Sequence, residues 1–142
     1  MVRVPLLPRW LRWVGACAVA AFIFYTSILT TPPPNPVVPG KPDLLPLDKW
    51  RHFLAYAALT GALVYATVDV DRSVRFRLLF VVGVAVLYGI GIEVGQSQIP
   101  NRYFSLGDAY ANAIGTALVT PWYLVRSRIQ FQPVLTRLAV FA

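Results

Sequence analysis

The sequence lacks most of the chemistry that marks a soluble enzyme or a disulfide-stabilised secreted domain. It has one cysteine, Cys17, and one histidine, His52, among 142 residues. A single cysteine excludes an intramolecular disulfide framework and a paired-cysteine metal site. No HExxH, GxSxG or P-loop motif is present to assign a reaction. The sequence therefore predicts no cofactor and no metal site of a known motif.

Acidic residues are also scarce, with six Asp and Glu against thirteen Lys and Arg, so the formal net charge is +7. Nucleic-acid binding would require these basic residues to form a patch with exposed aromatic residues on a soluble face. Hydrophobic residues instead make up 57% of the chain, and the mean hydropathy of +0.59 exceeds that of ordinary soluble domains. The composition favours an integral membrane protein, with membrane lipids and no nucleic acid as partners.

Four apolar segments are long enough to cross a bilayer, whose hydrocarbon core of about 30 Å needs about 20 helical residues. They cover residues 10–30, 50–68, 76–98 and 107–125. Residues 31–48 contain seven prolines, which predict an extended loop outside the membrane. The sequence thus predicts an all-α fold with one domain over residues 1–142, a bundle of four transmembrane helices.

The basic residues are distributed unevenly between the two sides of the predicted membrane. Nine arginines precede the first span, join the second to the third, or follow the fourth: Arg3, Arg9, Arg12, Arg72, Arg75, Arg77, Arg126, Arg128 and Arg137. The other loops and their borders contain only Lys41, Lys49, Arg51 and Arg102. Because cytoplasmic loops are enriched in Lys and Arg, both termini are predicted to lie in the cytoplasm and the proline-rich loop outside the cell membrane.

Polar side chains interrupt the spans where spans two, three and four reach the outer face. They are Lys49, His52 and Tyr56 on span two, Glu93 and Gln96 on span three, and Asp108 and Asn112 on span four. Each set has the spacing of one helix face. The pairs Gly91 with Gly95 and Ala111 with Gly115 would let helix backbones approach closely. The pattern predicts a polar crevice among these three helices.

Some of these residues also have purely structural interpretations. Ser105 and Asp108 form the S-x-x-D sequence of a capping box, and Glu93 with Arg102 would make an ion pair that closes the loop between them. An ionisable group within a span costs about 2.5 kcal/mol or more near the bilayer centre and less near its edge. Glu93 therefore needs a partner or a task, which favours a functional site but leaves a structural network open.

The order of these polar elements resembles the pattern of the VanZ-like family of small integral membrane proteins. The matching elements are Asp48-Lys49 with His52 and Tyr56, Glu93 with Gln96, Pro100-Asn101-Arg102, and Asp108 with Asn112 and Gly115. The family is named for an accessory protein of glycopeptide resistance that raises tolerance to teicoplanin. The resemblance implies a cell-envelope function. Before Asp48 the chain follows no pattern that we can assign to the family.

Three classes of function stay open on the sequence. A binding or transport-like protein would recognise a lipid headgroup or cell-envelope ligand, with Lys49 and Arg102 facing an anionic group. An intramembrane enzyme would use His52 and Glu93 as base and acid, or hold a divalent cation between His52, Glu93 and Asp108. A scaffold would join a membrane assembly through its small-residue faces. We favour the first class, with these ligand-binding residues: Lys49, His52, Tyr56, Glu93, Gln96, Arg102, Asp108 and Asn112.

Overall fold

The computed structural model describes residues 2–30, 47–100 and 105–133, and these are mostly helical. The long helices are α1 (Arg9–Phe24), which continues as a π-helical turn over Tyr25–Leu29, α2 (Leu47–Ala66), α3 (Val74–Ser97) and α4 (Leu106–Val119). A short helix α5 (Trp122–Val125), a 3-10 turn (Arg126–Arg128) and the strands β1 (Val2–Leu6) and β2 (Ile129–Pro133) complete the described elements. Most of the predicted proline-rich loop, and Arg102, lie outside the described residues.

The two helices that are long and apolar enough to cross a membrane are Arg9–Leu29, with 21 residues, and Val74–Ser97, with 24. The helix α2 has 20 residues, but its first turns carry Lys49, Arg51 and His52, which lower its hydropathy. The helix α4 has 14 residues, or about 21 Å at 1.5 Å per residue. The described residues therefore show two of the four predicted spans by length and composition.

The predicted fourth span is divided because a proline interrupts it. Helix α4 ends at Val119, and α5 begins at Trp122, directly after Pro121. Proline has no N–H to donate to the carbonyl of Ala117, so the regular helix cannot continue through this position. The hydroxyl of Thr120 donates to that carbonyl instead, at 2.7 Å. The segment 107–125 is thus a helix, a turn and a second short helix.

Sequential helices of the bundle run in opposite directions. Arg12, near the start of α1, donates to the carbonyl of Ala66 at the end of α2. Gln96, near the end of α3, donates to the carbonyl of Ser27 in the π-helical turn. We call the end that contains Arg12 and the two strands the sheet end, and the opposite end, where α2 and α4 begin and α3 finishes, the cluster end.

Apolar side chains occupy both the inside and the outside of this bundle. Tyr56, Val81 and Ala85 are buried between helices, with at most 1% of their surface exposed. Leu79 and Leu87 point outward from α3 and are 72% and 71% exposed. A helix that is apolar all round is typical of an environment of lipid rather than water.

Arg12 stabilises the sheet end through hydrogen bonds, whereas the sequence used it only to predict the orientation in the membrane. Arg12 is 4% exposed and donates to both carboxylate oxygens of Asp69, at 3.0 and 2.6 Å. Its Nη1 also donates to the carbonyl of Tyr65, at 2.9 Å. These hydrogen bonds from Arg12 lower the pKa of Asp69, which lies in the turn between α2 and α3. The pair thereby joins the start of α1 to the α2–α3 turn.

The prediction of a purely helical chain is corrected by two strands at the sheet end. Strands β1 and β2 pair in parallel, with Val4 opposite Phe131. Each strand has five residues, and IQFQP of β2 alternates apolar and polar side chains, which is the sequence signal of a strand that our prediction missed. Their pairing brings the two described chain ends to the same end of the bundle.

Candidate functional site

The site forms at the cluster end because α2 and α4 pack closely along one line of contact. Gly115 of α4 lies so near the backbone of Phe53 on α2 that an added Cβ would collide with the Phe53 carbonyl oxygen. This approach sets the first turns of α2, with Lys49 and His52, against the first turns of α4, with Asp108 and Asn112. The cluster is therefore built on two helix backbones in contact.

His52 lies at the centre of the cluster. Its Nδ1 is 3.0 Å from the amide oxygen of Asn112 and 3.8 Å from Oε1 of Glu93, and its Nε2 is 3.8 Å from Oδ1 of Asp108. An amide oxygen can only accept a hydrogen bond, so Nδ1 is the protonated nitrogen. In the neutral imidazole, Nε2 then carries a lone pair on the side of Asp108.

Glu93 is the most deeply buried member of the cluster, with none of its surface exposed. Its Oε2 accepts a hydrogen bond from the backbone N–H of Ser105 at 3.3 Å. Its Oε1 has no hydrogen-bond partner within the described parts of the chain, and the same holds for Tyr56 Oη and Asn112 Nδ2. Since buried polar atoms in proteins are nearly always paired, these three atoms are candidates to contact a further polar group.

The bond from Ser105 to Glu93 changes the cap of α4. Ser105 accepts from the N–H of Asp108 at 3.2 Å, which confirms the predicted capping sequence. In a complete capping box the acidic residue would accept from the Ser105 N–H in return, but Glu93 of α3 takes that position. Asp108 is therefore available to other partners and makes an ion pair with Lys49. The Lys49 ammonium also lies 3.5 Å from the Ser105 hydroxyl.

The polar groups form a gradient from the surface to the interior of the bundle. The side chain of Lys49 is 25% exposed and that of Asp108 15%, while His52 is 16% exposed and Glu93 is wholly buried. A ligand from the cluster end would thus meet Lys49 first, Asp108 and His52 next, and Glu93 last. The cluster thus consists of the Lys49 ammonium group and two carboxylates grouped around the His52 imidazole.

The structure separates one predicted site residue, Gln96, from this cluster and places another, Tyr56, below it. Gln96 donates to the carbonyl of Ser27 at 3.1 Å and so joins α3 to the end of α1. Tyr56 is buried, 1% exposed, and its ring lies against Gly89, where an added Cβ would be 3.1 Å from Cε1. Tyr56 therefore forms the floor below the cluster. The predicted ion pair between Glu93 and Arg102 involves a residue outside the described ranges.

Two glycines of α3, Gly89 and Gly95, lie close to side chains of neighbouring helices, and the sequence predicted only Gly95. A Cβ on Gly91 would meet nothing within 4 Å among the described residues, whereas one on Gly95 would meet Ile28 at 3.1 Å and one on Gly89 would meet Tyr56 and Asn112. The predicted close approach at Gly91 is therefore wrong. Gly89 lies four residues before Glu93, on the same helix face, and that spacing was the signal available in the sequence.

Three side chains of the cluster have the donor atoms of a cation site. His52, Glu93 and Asp108 each offer one ligand atom, and these atoms lie within 4.8 Å of one another.

Comparison of the chain with models of protein families, with curated proteins and with solved structures finds no match. The function is accordingly argued from the cluster itself.

Proposed function

We propose that this chain is a VanZ-like integral membrane protein of the cell membrane that binds a lipid headgroup or another cell-envelope ligand at the cluster end. The observation that carries the proposal is Glu93, which is completely buried and keeps one carboxylate oxygen without a partner in the described residues. A carboxylate in such a place is costly unless a partner or a task compensates.

A purely structural network accounts less well for the same residues. Such a network is stabilising when every member is satisfied, and incomplete satisfaction makes it worse than an apolar core. Among the described residues, Glu93 Oε1, Asn112 Nδ2 and Tyr56 Oη are buried without a hydrogen-bond partner, as are Arg12 Nε and Arg77 Nε at the sheet end, and Glu93 supplies the carboxylate among them. Lys49 stands at the entrance and offers an ammonium group to the phosphate or carboxylate of a ligand.

An acid–base enzyme is the second candidate, and the position of His52 favours it. The imidazole lies 3.8 Å from each of two carboxylates, so a substrate atom between them would contact a base and an acid together. Under this candidate His52 acts as the base through Nε2, Glu93 acts as the acid, and Asn112 orients the ring through Nδ1.

The orientation we propose is four spans, with both termini in the cytoplasm and the cluster end outside, because the Lys and Arg residues concentrate in the loops of the sheet end. A cysteine placed at Pro39 in a Cys17→Ala background should react with a membrane-impermeant maleimide in intact cells. Labelling that requires permeabilised membranes would reverse the orientation and place the site on the cytoplasmic side.

The ligand proposal is tested by growth in teicoplanin, the compound that the VanZ resemblance suggests. A susceptible bacterial host should tolerate more teicoplanin with the wild-type chain than with an empty vector, and His52→Asn should remove the gain. Asp71→Asn is the matched control, because Asp71 is an exposed carboxylate in the α2–α3 turn. No gain from the wild type contradicts the proposal, and equal gains from all variants would favour the scaffold.

A further inference from the structure

We propose that His52, Glu93 and Asp108 bind a divalent transition cation, Zn²⁺ or Mn²⁺, through which the cluster holds an anionic ligand. The inference deepens the proposed function and rests on it for the ligand, but the cation site itself stands on the geometry of the three side chains. Their ligand atoms already lie within 4.8 Å of one another.

The three side chains need a contraction and a rotation of Glu93 to hold an ion. Nitrogen and oxygen ligands lie about 2.0–2.2 Å from Zn²⁺, so two ligands of one ion are at most about 4.4 Å apart. His52 Nε2 and Asp108 Oδ1, at 3.8 Å, are already within that limit. Glu93 Oε1 lies 3.8 Å from the other ring nitrogen, Nδ1, so its side chain must turn toward Nε2, and it has no hydrogen bond to break within the described residues.

Two of the three proposed ligands, His52 and Glu93, are held by hydrogen bonds with neighbouring groups, as metal ligands in proteins usually are. A ligating histidine almost always donates its second ring N–H to a neighbouring acceptor, and ligating carboxylates accept further hydrogen bonds. Asn112 Oδ1 accepts from His52 Nδ1 at 3.0 Å, which leaves Nε2 for the cation. The Ser105 N–H donates to Glu93 Oε2 at 3.3 Å, which leaves Oε1. The observation that points to a ligand is Glu93 Oε1, an oxygen of a wholly buried side chain that has no hydrogen-bond partner within the described residues.

The donor set selects the class of cation. One imidazole and two carboxylates suit Zn²⁺ or Mn²⁺ better than Mg²⁺ or Ca²⁺, which prefer oxygen ligands alone. Three protein ligands also leave a position open, as in sites where a metal binds substrate or water. An anionic oxygen of the ligand would take that position.

Lys49 regulates the site through its charge. With a neutral histidine, the two carboxylates and Lys49 sum to one negative charge, and a divalent cation makes the sum positive, as an anionic ligand requires. The ammonium competes with the cation for Asp108 and can move toward the Ser105 hydroxyl, already 3.5 Å away. Removing its charge should therefore strengthen cation binding.

The experiment is titration of the purified, chelator-treated full chain in detergent with Zn²⁺ or Mn²⁺ alone, using isothermal calorimetry. A Cys17→Ala background removes the exposed thiol, and any affinity tag is cleaved. The wild type should bind one equivalent, and Asp71→Asn should behave identically. Asn112→Leu should weaken binding by roughly 10 to 100-fold, as loss of an outer-shell partner does, and Glu93→Gln by more.

Lys49→Gln should increase the affinity for the cation, a result that misfolding cannot produce. It should bind the cation at least about threefold more tightly, since a positive charge next to the site is removed. Absence of stoichiometric binding by the wild type, unchanged affinity in Glu93→Gln, or weaker binding in Lys49→Gln would each overturn the cation site.

The cation site and the proposed function can fail separately. If the wild type raises teicoplanin tolerance but the purified chain binds neither ion, the cation inference fails and the proposed function stands. If the chain binds one equivalent of Zn²⁺ or Mn²⁺ but gives no tolerance, the cation site stands and the proposed ligand is wrong.

Discussion

Replacing Glu93 with Gln is expected to abolish the teicoplanin tolerance conferred by the wild type while leaving the protein folded. Gln keeps the shape of Glu and a carbonyl oxygen that accepts from the Ser105 N–H, so this hydrogen bond survives. The free energy of unfolding should change by about 1 kcal/mol. What disappears is the negative charge and the ability to take a proton or bind a cation.

The measurement is paired: thermal unfolding in detergent and growth in teicoplanin, at matched expression. Ser97→Ala serves as the control on the same helix, because the Ser97 hydroxyl donates to the carbonyl of Val94 and is exposed. Full tolerance in Glu93→Gln, or loss that follows the loss of folded protein, would make the cluster a structural network and would favour the scaffold.

Replacing Gly115 with Ala should have the larger effect on stability and should disassemble the site. The added methyl group would overlap the carbonyl oxygen of Phe53, and a backbone atom cannot rotate away as a side chain can. Overpacking of this kind costs about 1–3 kcal/mol. Because α2 and α4 would separate, His52 should lose Asn112 and Lys49 should lose Asp108, so tolerance and cation binding should fall together.

Gly61→Ala is the matched control for this change. Gly61 is inside α2, and an added Cβ there meets nothing within 4 Å. Because Ala favours helix over Gly by about 1 kcal/mol, this variant should be as stable as the wild type or more so. Thermal unfolding of both variants in detergent makes the comparison. Equal stability of Gly115→Ala and Gly61→Ala would show that the helices do not touch at Gly115.

The sequence by itself determined most of the helices and part of the cluster, namely Lys49, His52, Glu93, Asp108 and Asn112. Apolar runs and their limits placed the third helix at 76–98, against Val74–Ser97 in the structure, since helix formation and apolar burial follow from local composition. The spacing of His52, Asp108 and Asn112 put them on inward faces for the same reason, and Ser105 caps α4 as its S-x-x-D sequence predicts.

Only the tertiary structure decided which groups meet. Gln96 shares a helix face with Glu93, yet it reaches Ser27 of α1, because three residues along a helix turn a side chain by about 300° and neighbouring helices then choose its partner. Glu93 takes the Ser105 N–H that local capping would give to Asp108. That exchange depends on the close packing of three helices, which no local pattern encodes, and it leaves Asp108 to face Lys49 and His52.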